Sequence, residues 1–369
     1  MRNAHRGLSR YLKATLVAVL ALNLSACADL RYYWQSVSGH VALLHAAKPV
    51  DDWLADSQTP EPLKAKLLLT QKIRQFAVTE LKLPDNPSYK SYADLQRKAV
   101  VWNVVAAPAF SLKLKTWCFP VAGCVNYKGY FSQDEAHTQA ERLKQQGWEV
   151  SVYGVPAYST LGWSNWAGGD PLLNTFVGYP EGELARLVFH ELAHQVVYVP
   201  DDTAFNESFA TAVERLGSAR WLLRHGSEAA NLDYALFDQR RQQFRALTRA
   251  TRLQLTQIYM KNQAVDGVYI AYTAMNNIAK EGIYRQFRAH YEELKSRWGG
   301  YTGYDAWVKN ANNASFGALA AYDDWVPAFE ALFEKNDGDW LRFYVVVKDL
   351  AKLSKEQRRQ ALMNIAQSA

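Results

Sequence analysis

Residues 180–199 read Pro-Glu-Gly-Glu-Leu-Ala-Arg-Leu-Val-Phe-His-Glu-Leu-Ala-His-Gln-Val-Val-Tyr-Val, and Pro200 follows directly. Pro180 suits the first position of a helix, and the glutamates that follow it suit the positive end of the helix dipole. Pro200 cannot continue a helix, because it lacks a backbone N–H and its ring clashes with the preceding turn. The stretch therefore predicts one helix that ends at Pro200, and its uncharged flanks predict that this helix is buried.

The middle of this helix contains His190-Glu191-Leu-Ala-His194. Histidines four positions apart lie on one helix face with Cβ atoms ~5–6 Å apart, so their ring nitrogens can meet at one Zn²⁺ ion at ~2.0–2.1 Å. Glu191 lies one position further round the helix, where a carboxylate can reach a water molecule as a general base. The alternative is two buried histidines that bond to backbone or carboxylate groups, without a metal.

A second predicted helix begins after residues 200–203 and offers Glu207 and Glu214 as a third ligand. Asn206-Glu207-Ser-Phe-Ala resembles the Asn-Glu-Gly-Phe-Ala stretch that supplies the glutamate ligand in aminopeptidase N-like zinc enzymes, and this resemblance implies Glu207. Glu214 has the spacing of the thermolysin ligand but not its local sequence, so it is the rival ligand or a residue that positions one. The short spacing to Glu207 predicts a connection of about five residues.

Asp202 and Thr203, at the start of the second helix, are alternatives for positioning a metal ligand. Capping of the helix N-terminus explains both residues equally well, because their side-chain oxygens can accept hydrogen bonds from free backbone N–H groups.

The N-terminus has the pattern of an export signal. Residues 1–13 are basic and polar, residues 14–24 are apolar, and Leu24-Ser25-Ala26-Cys27 follows. This order resembles a bacterial lipobox, which implies lipidation of Cys27 and a soluble body held on a membrane surface. A plain secretory signal with a chance cysteine is the alternative. By resemblance to enterobacterial lipoproteins, Ala28 favours the outer membrane, with the body facing the periplasm.

Cys118 and Cys124 bracket a short turn that contains Pro120 and Gly123. In an exported protein such a pair predicts a local disulfide, because disulfides persist in oxidising compartments. Two free structural thiols are the alternative.

Composition excludes several classes of protein. The 369 residues are 49% hydrophobic, which is enough for a large core, and no apolar run long enough to span a bilayer follows the N-terminus. The net charge of +6 includes four basic residues in the predicted leader, Arg2, Arg6, Arg10 and Lys13. The remaining chain is close to neutral and contains no basic cluster, so no nucleic-acid partner is expected.

The rest of the chain predicts an α+β fold that is predominantly helical, with a small mixed β-sheet before the metal-binding helix. Helical spacing occurs at residues 28–50, 60–82, 89–100 and 132–147, and strand-like patterns at 100–105, 112–116, 125–131 and 149–153. The long helical stretch at 238–298 is expected to form a hairpin that covers the active-site region. The predicted organisation is a leader (1–26), a region with the sheet (27–179) and a helical zinc-binding region (180–369).

Several motifs together resemble the bacterial family of predicted zinc aminopeptidases. They occur in this order along the chain: the lipobox, Tyr32-Tyr-Trp-Gln35, residues 118–124, residues 156–163, the His190–His194 motif, residues 205–209, Asn312-Asn-Ala314 and Val326-Pro-Ala-Phe329. The resemblance implies a zincin-like fold of the gluzincin type. It also implies a zinc-dependent peptidase, expected to be an aminopeptidase, that acts on peptides in the cell envelope.

The remaining site predictions concern the substrate. Tyr322 is the first choice for the donor that stabilises the oxyanion and Tyr198 the second, although either could be a packed aromatic residue. Residues 153–163 are expected to include an edge strand that pairs with an extended peptide. The chain lacks the Gly-x-Met-Glu-Asn stretch that holds the substrate amino terminus in aminopeptidase N. Exopeptidase action is therefore implied by the family name alone. A non-catalytic envelope lipoprotein and a zinc amidase for cell-wall material are the alternatives.

Overall fold

The computed structural model describes residues 31–119, 123–261, 269–319 and 325–367. Within these ranges the chain is predominantly helical and contains three small sheets. The predicted α+β class is therefore confirmed. The predicted leader, Cys27 and Tyr322 lie outside the described residues.

Four elements form the N-terminal part, which begins with α1 (31–46). The others are β1 (Lys48–Pro49), α2 (Val50–Ala55) and α3 (Glu61–Thr79). Pro62 lies in the first turn of α3, where its missing N–H has no partner to lose. Buried positions recur at intervals of three or four residues along α3, as the sequence pattern at 60–82 predicts.

The sheets are built from seven further strands. These are β2 (Ser91–Ala93), β3 (Val101–Pro108), β4 (Trp117–Phe119), β5 (Gly123–Val125), β6 (Lys128–Tyr130), β7 (Trp148–Val155) and β8 (Leu172–Leu173). The order β1-β2-β8 is the one mixed sheet among the described residues, whereas β6-β3-β7 is antiparallel and β4-β5 is a hairpin. All of them precede the helix that contains His190 and His194. The sequence predicted a single mixed sheet in this region, whereas the described residues form three separate sheets.

Two predicted elements in this region are wrong. Residues 89–100 are not a helix, because Ser91–Ala93 form β2 and pair with β1 and β8. Residues 112–116 are not a strand; the Lys115 N–H donates to the Ala106 carbonyl oxygen (2.8 Å), but no ladder continues from it. The helix predicted at 132–147 is confirmed as α4 (Gln133–Gln145), and Ser132 caps it by accepting from the Glu135 N–H.

Within the described ranges, the chain after Pro180 forms nine helices. They are α5 (Glu181–Ala193), α6 (Thr203–His225), α7 (Glu228–Lys261), α8 (Tyr269–Arg297), α9 (Asp305–Lys309), α10 (Asn313–Ala318), α11 (Val326–Lys335), α12 (Trp340–Lys352) and α13 (Lys355–Gln367). The two longest, α7 and α8, pack against each other through aromatic residues and form the predicted hairpin. No helix in the described part of the chain is both long and apolar enough to cross a bilayer.

The largest core surrounds α5 and α6, which lie side by side. Phe189 of α5 and Phe209 of α6 are fully buried, and both contact aromatic rings from other helices. A buried phenylalanine side chain stabilises the fold by about 1.5–3 kcal/mol through removal of apolar surface from water. This packing fixes the two helices that carry the predicted metal ligands.

Candidate metal centre

The helix with the two histidines is shorter than its sequence predicts. α5 ends at Ala193, and His194 stands at its C-cap, where its N–H donates to the His190 carbonyl oxygen at 3.3 Å. The connection to α6 covers residues 194–202 and is longer than the predicted five residues. Both predictions, a helix that continues to Pro200 and a short connection, are therefore wrong.

Asn206 explains why the chain leaves the helix before Pro200. Its side-chain oxygen accepts from the Val199 N–H, and its side-chain nitrogen donates to the Val199 carbonyl oxygen, both at 2.8 Å. Asn206 is itself buried. The Asn206 amide thus holds the connection against α6 through both the N–H and the carbonyl oxygen of Val199. If Val199 were part of a continued helix, it could not offer both groups to Asn206.

The start of α6 is fixed by Asp202. Its carboxylate accepts from the Phe205 N–H as the helix cap (3.3 Å) and from Arg358 Nε of α13 (2.9 Å). The capping interpretation of Asp202 is confirmed, and α6 begins at Thr203, one residue before the predicted start. Neither Asp202 nor Thr203 is among the three residues that form the cluster of potential metal ligands.

The structure brings the three predicted metal ligands together. His190 Nε2 lies 3.1 Å from His194 Nε2, and Glu207 carboxylate oxygens lie 3.4 Å from the first and 3.8 Å from the second. Four tetrahedral ligands at ~2.0–2.1 Å from Zn²⁺ are about 3.3 Å from one another. The three separations scatter around that value, so this donor set fits a zinc ion in spacing and in chemical type.

Glu214 contacts the other nitrogen of His190, on the side away from the cluster. Its carboxylate lies 2.9 Å from His190 Nδ1, and its second oxygen accepts from Arg186 Nε at 2.7 Å. Because an ionised carboxylate only accepts hydrogen bonds, this contact keeps the proton on Nδ1 and leaves the Nε2 lone pair for a metal. The geometry favours Glu214 as the residue that orients His190, and disfavours it as a ligand.

The charges in the cluster favour a cation at its centre. Burial raises the pKa of Glu214, but the Arg186 charge and the His190 contact outweigh it and lower this pKa to about 2. Burial lowers the pKa of His190, but its bonds with Glu207 and Glu214 outweigh it and raise this pKa to about 10. Without a metal the two carboxylates therefore hold a proton on the imidazole, and a metal would displace that proton on binding.

His194 and Glu207 complete the electrostatics of the cluster. Burial is the main cause that lowers the pKa of His194 to about 4, which keeps this imidazole neutral as a metal ligand must be. Burial also raises the pKa of Glu207, but the nearby His194 and His190 outweigh it, so that the pKa lies below its ordinary value. Both groups are thus in the protonation state that zinc requires.

Glu191 is held beside the cluster in a different environment. Burial, together with the negative charges of Glu207 and Asp170, raises its pKa to about 7, although His190 and a hydrogen bond from Ser159 act in the opposite direction. The Ser159 oxygen accepts from the Leu161 N–H (3.2 Å), so its own proton can be directed to Glu191. A carboxylate with a pKa near neutrality can both accept and return a proton.

Asp170 fixes the loop that carries Ser159. Its buried carboxylate accepts from the Thr160 N–H (3.0 Å), from the Thr160 hydroxyl (2.7 Å) and from the Ser164 hydroxyl (3.0 Å). Its own N–H donates to Ser88 Oγ at 3.2 Å. Residues 156–170 are therefore tied to the body of the protein directly next to Glu191.

Three residues of this site were not found from the sequence: Arg186, Ser159 and Asp170. Arg186 had a signal, since it lies four positions before His190 and so on the same helix face. Ser159 lies in the stretch 156–163 noted in the sequence, but its path and that of Asp170 depend on distant contacts, and no local pattern links either residue to Glu191.

The cluster lies in a cavity of about 880 Å³. This volume is in the range of ligand-binding sites, ~300–1,000 Å³. The walls include many aromatic and apolar side chains, among them Tyr33, Phe119, Tyr127, Phe131, Tyr158 and Leu187. Tyr198 lines the same cavity as the cluster. Its role as an oxyanion donor stays a prediction, as does that of Tyr322.

The expected edge strand is present only in part. β7 lies at the edge of its sheet, but it ends at Val155, and residues 156–163 are irregular. Val155 and the segment after it line the cavity, so this edge does border the cluster as predicted.

The predicted disulfide joins Cys118 and Cys124 across the hairpin of β4 and β5. The Cys124 N–H donates to the Asp201 carboxylate at 2.6 Å, in the connection between α5 and α6. Phe119 and Val125 of the same hairpin line the cavity. The disulfide hairpin is thus fastened to the segment between α5 and α6, which carry the three predicted metal ligands.

Comparison with known families agrees with this arrangement. A family model described as "Putative aminopeptidase" (Aminopep) matches residues 31–362. The chain belongs to this family. No curated protein and no solved structure matches the chain. Membership in the family indicates peptidase activity and peptide substrates.

Proposed function

We propose that the protein is a zinc-dependent peptidase. The observation that carries this proposal is the convergence of His190 Nε2 and His194 Nε2, 3.1 Å apart, with the two Glu207 carboxylate oxygens, one 3.4 Å from His190 Nε2 and the other 3.8 Å from His194 Nε2. The second support is Glu191, which lies beside these donors in the same cavity, in the position that the His-Glu-x-x-His pattern requires of a general base.

His190, His194 and Glu207 would hold the zinc, and Glu214 would keep His190 in the required tautomer. When bound, the zinc would polarise the peptide carbonyl and lower the pKa of a water molecule toward ~7. Three protein ligands leave a fourth position open, which is the pattern of a catalytic rather than a structural zinc site.

Glu191 would move the proton. Its carboxylate accepts a proton from the attacking water as the oxygen forms a bond with the carbonyl carbon. It then donates the same proton to the peptide nitrogen as the carbon–nitrogen bond breaks, which regenerates the carboxylate. Ser159 would keep the carboxylate oriented between these two transfers through its hydrogen bond.

The cavity would bind an extended peptide along β7, with apolar side chains against its aromatic walls. The family description supports removal of N-terminal residues, so we propose an aminopeptidase. The predicted leader supports export and attachment through Cys27 to a membrane of the cell envelope, with the body facing the periplasm and the outer membrane favoured.

The Glu191→Gln variant tests the mechanism. It should keep its zinc, because Glu191 is not a ligand, and lose peptide hydrolysis by roughly the 10²–10⁴-fold that general base catalysis contributes. Glu356→Gln, an exposed carboxylate on α13, is the matched control and should behave as the parent. Hydrolysis by Glu191→Gln at the parental rate would show that the base is misassigned.

The substrate is tested with matched peptides that have free or acetylated N-termini. An aminopeptidase should cleave the free series from its N-terminus and leave the acetylated series intact. Cleavage of both series at internal bonds would make the protein an endopeptidase. A zinc-loaded protein that cleaves neither would contradict the peptidase proposal.

A further inference from the structure

The outward face of α1 is apolar. Trp34 is 73% exposed, Val37 59% and Val41 43%, and their spacing of three and four residues places them on one side of the helix. Ser38 and Ala42 are exposed beside them. This face is therefore a continuous uncharged strip directed away from the protein.

The opposite face of α1 is firmly packed, so the exposure does not come from a loose helix. Gln35 accepts from the Phe131 N–H at 3.0 Å, and Gly39 lies so close to the Phe131 ring that no side chain would fit there. Leu43 is buried in the main core. The orientation of α1, and with it the outward strip, is thus fixed by contacts.

α1 lacks the charged residues that a helix at the protein surface normally carries. Residues 32–47 contain no Asp, Glu, Lys or Arg, and the basic residues Arg31 and Lys48 stand at the two ends of this run. A helix at a water-facing surface usually carries charged residues on its outer side. A bilayer interface instead favours an apolar strip with tryptophan and basic flanks, because tryptophan prefers the headgroup level and basic residues pair with anionic lipids.

We propose that the outward strip of α1 rests in the interfacial layer of a phospholipid bilayer. This proposal builds on the lipidation of Cys27 proposed above. Cys27 lies four positions before Arg31, so even fully extended chain separates the two by at most about 14 Å. An acylated Cys27 would therefore hold the start of α1 at the membrane surface, with the strip ready to insert.

Docking of α1 on the bilayer would also place the cavity close to the membrane surface. Tyr32, Tyr33 and Ser36 of α1 line it, so one wall of the cavity belongs to the same helix that lies on the membrane. The cavity would then be held within a helix diameter of the bilayer surface. Its substrates would be peptide segments that emerge from the membrane or lie on it.

Site-directed spin labelling of the full chain tests the proposal. The chain, produced with its leader, is reconstituted into vesicles of phosphatidylethanolamine and phosphatidylglycerol. Cys118 and Cys124 are paired, and an acylated Cys27 is blocked, so one introduced cysteine takes the label. Val37→Cys and Val41→Cys report on the strip. Leu223→Cys, at a position 85% exposed on α6, is the matched control.

The label at the strip should be accessible to oxygen but roughly tenfold less accessible to an ionic nickel complex than the label at the control position, because charged solutes avoid the apolar layer. Equal nickel access at strip and control would overturn the proposal, as would a chain that does not stay with the vesicles. Dipolar broadening between labels, lost on dilution with unlabelled chain, would assign the strip to a contact between two copies instead. Zinc content and peptide hydrolysis are measured in detergent, so failure of docking is separable from failure of the peptidase proposal.

Discussion

Replacement of Glu214 by glutamine is predicted to weaken zinc binding although Glu214 is not a ligand. The parent carboxylate accepts from both His190 Nδ1 (2.9 Å) and Arg186 Nε (2.7 Å). An amide has one accepting oxygen and one donating nitrogen, so it can satisfy only one of these donors. If the amide nitrogen faces His190, the imidazole must accept through Nδ1, and its proton moves to Nε2, where the metal would bind.

The other orientation of the introduced amide is also unfavourable. If the amide oxygen faces His190, the amide nitrogen is directed at the Arg186 guanidinium, and two donors meet in a buried site. Loss of such a partner of a ligating histidine typically costs 10–100-fold in metal affinity. We expect a zinc dissociation constant raised by that factor, measured by competition with a chelator of known affinity at pH 7.5.

Glu183→Gln is the matched control for this measurement. Glu183 pairs with Arg186 (3.4 Å) and Arg241 (2.6 Å) but does not contact His190. Its variant loses ion pairs in the same region and should keep zinc affinity within about threefold of the parent. A folded Glu214→Gln protein with parental affinity, or an equal loss in both variants, would refute the tautomer argument.

Three further predictions address the surroundings of the site. Asn206→Ala should lower the free energy of unfolding by about 2–4 kcal/mol, because both backbone groups of Val199 lose their partner, and an unchanged denaturant midpoint would contradict this clamp. In metal-free protein the folded-state pKa of about 2 for Glu214 should add of order 3 kcal/mol to the free energy of unfolding. This contribution is present above pH ~4.5 and is lost as the pH falls toward 2. The free energy of unfolding, measured across this pH window, should therefore vary less with pH in Glu214→Gln than in the parent. Ser159→Ala should reduce kcat roughly tenfold and move the acid limb of the pH–rate profile upward, because Glu191 loses a donor, while zinc content stays unchanged; an unaltered profile would exclude the contact.

The convergence of His190, His194 and Glu207 could be predicted from the sequence because its determinants are local. The two histidines share one helix face, and Glu207 follows soon enough that the next helix must lie beside the first. Packing of α5 on α6 then brings the three donors together. The same regular spacing predicted α3 and the long hairpin of α7 and α8.

The errors arise where distant contacts decide the backbone. The pattern at 194–199 continues the helix, but Asn206 captures Val199 and the chain turns away. Residues 89–100 have helical spacing, yet Tyr92 and Ala93 pair with β8, which lies about eighty positions later. Local periodicity contains no information about such partners, so neither β2 nor the end of α5 could be located from it.

Zinc content is the measurement that tests the central claim most directly. The purified full chain and its Glu207→Ala variant are analysed by elemental analysis after dialysis, with thermal unfolding to show that both are folded. The proposed site predicts about one zinc per chain in the parent and loss of that zinc in the variant. A folded parent without zinc, or a variant that retains it, would contradict the three-ligand site.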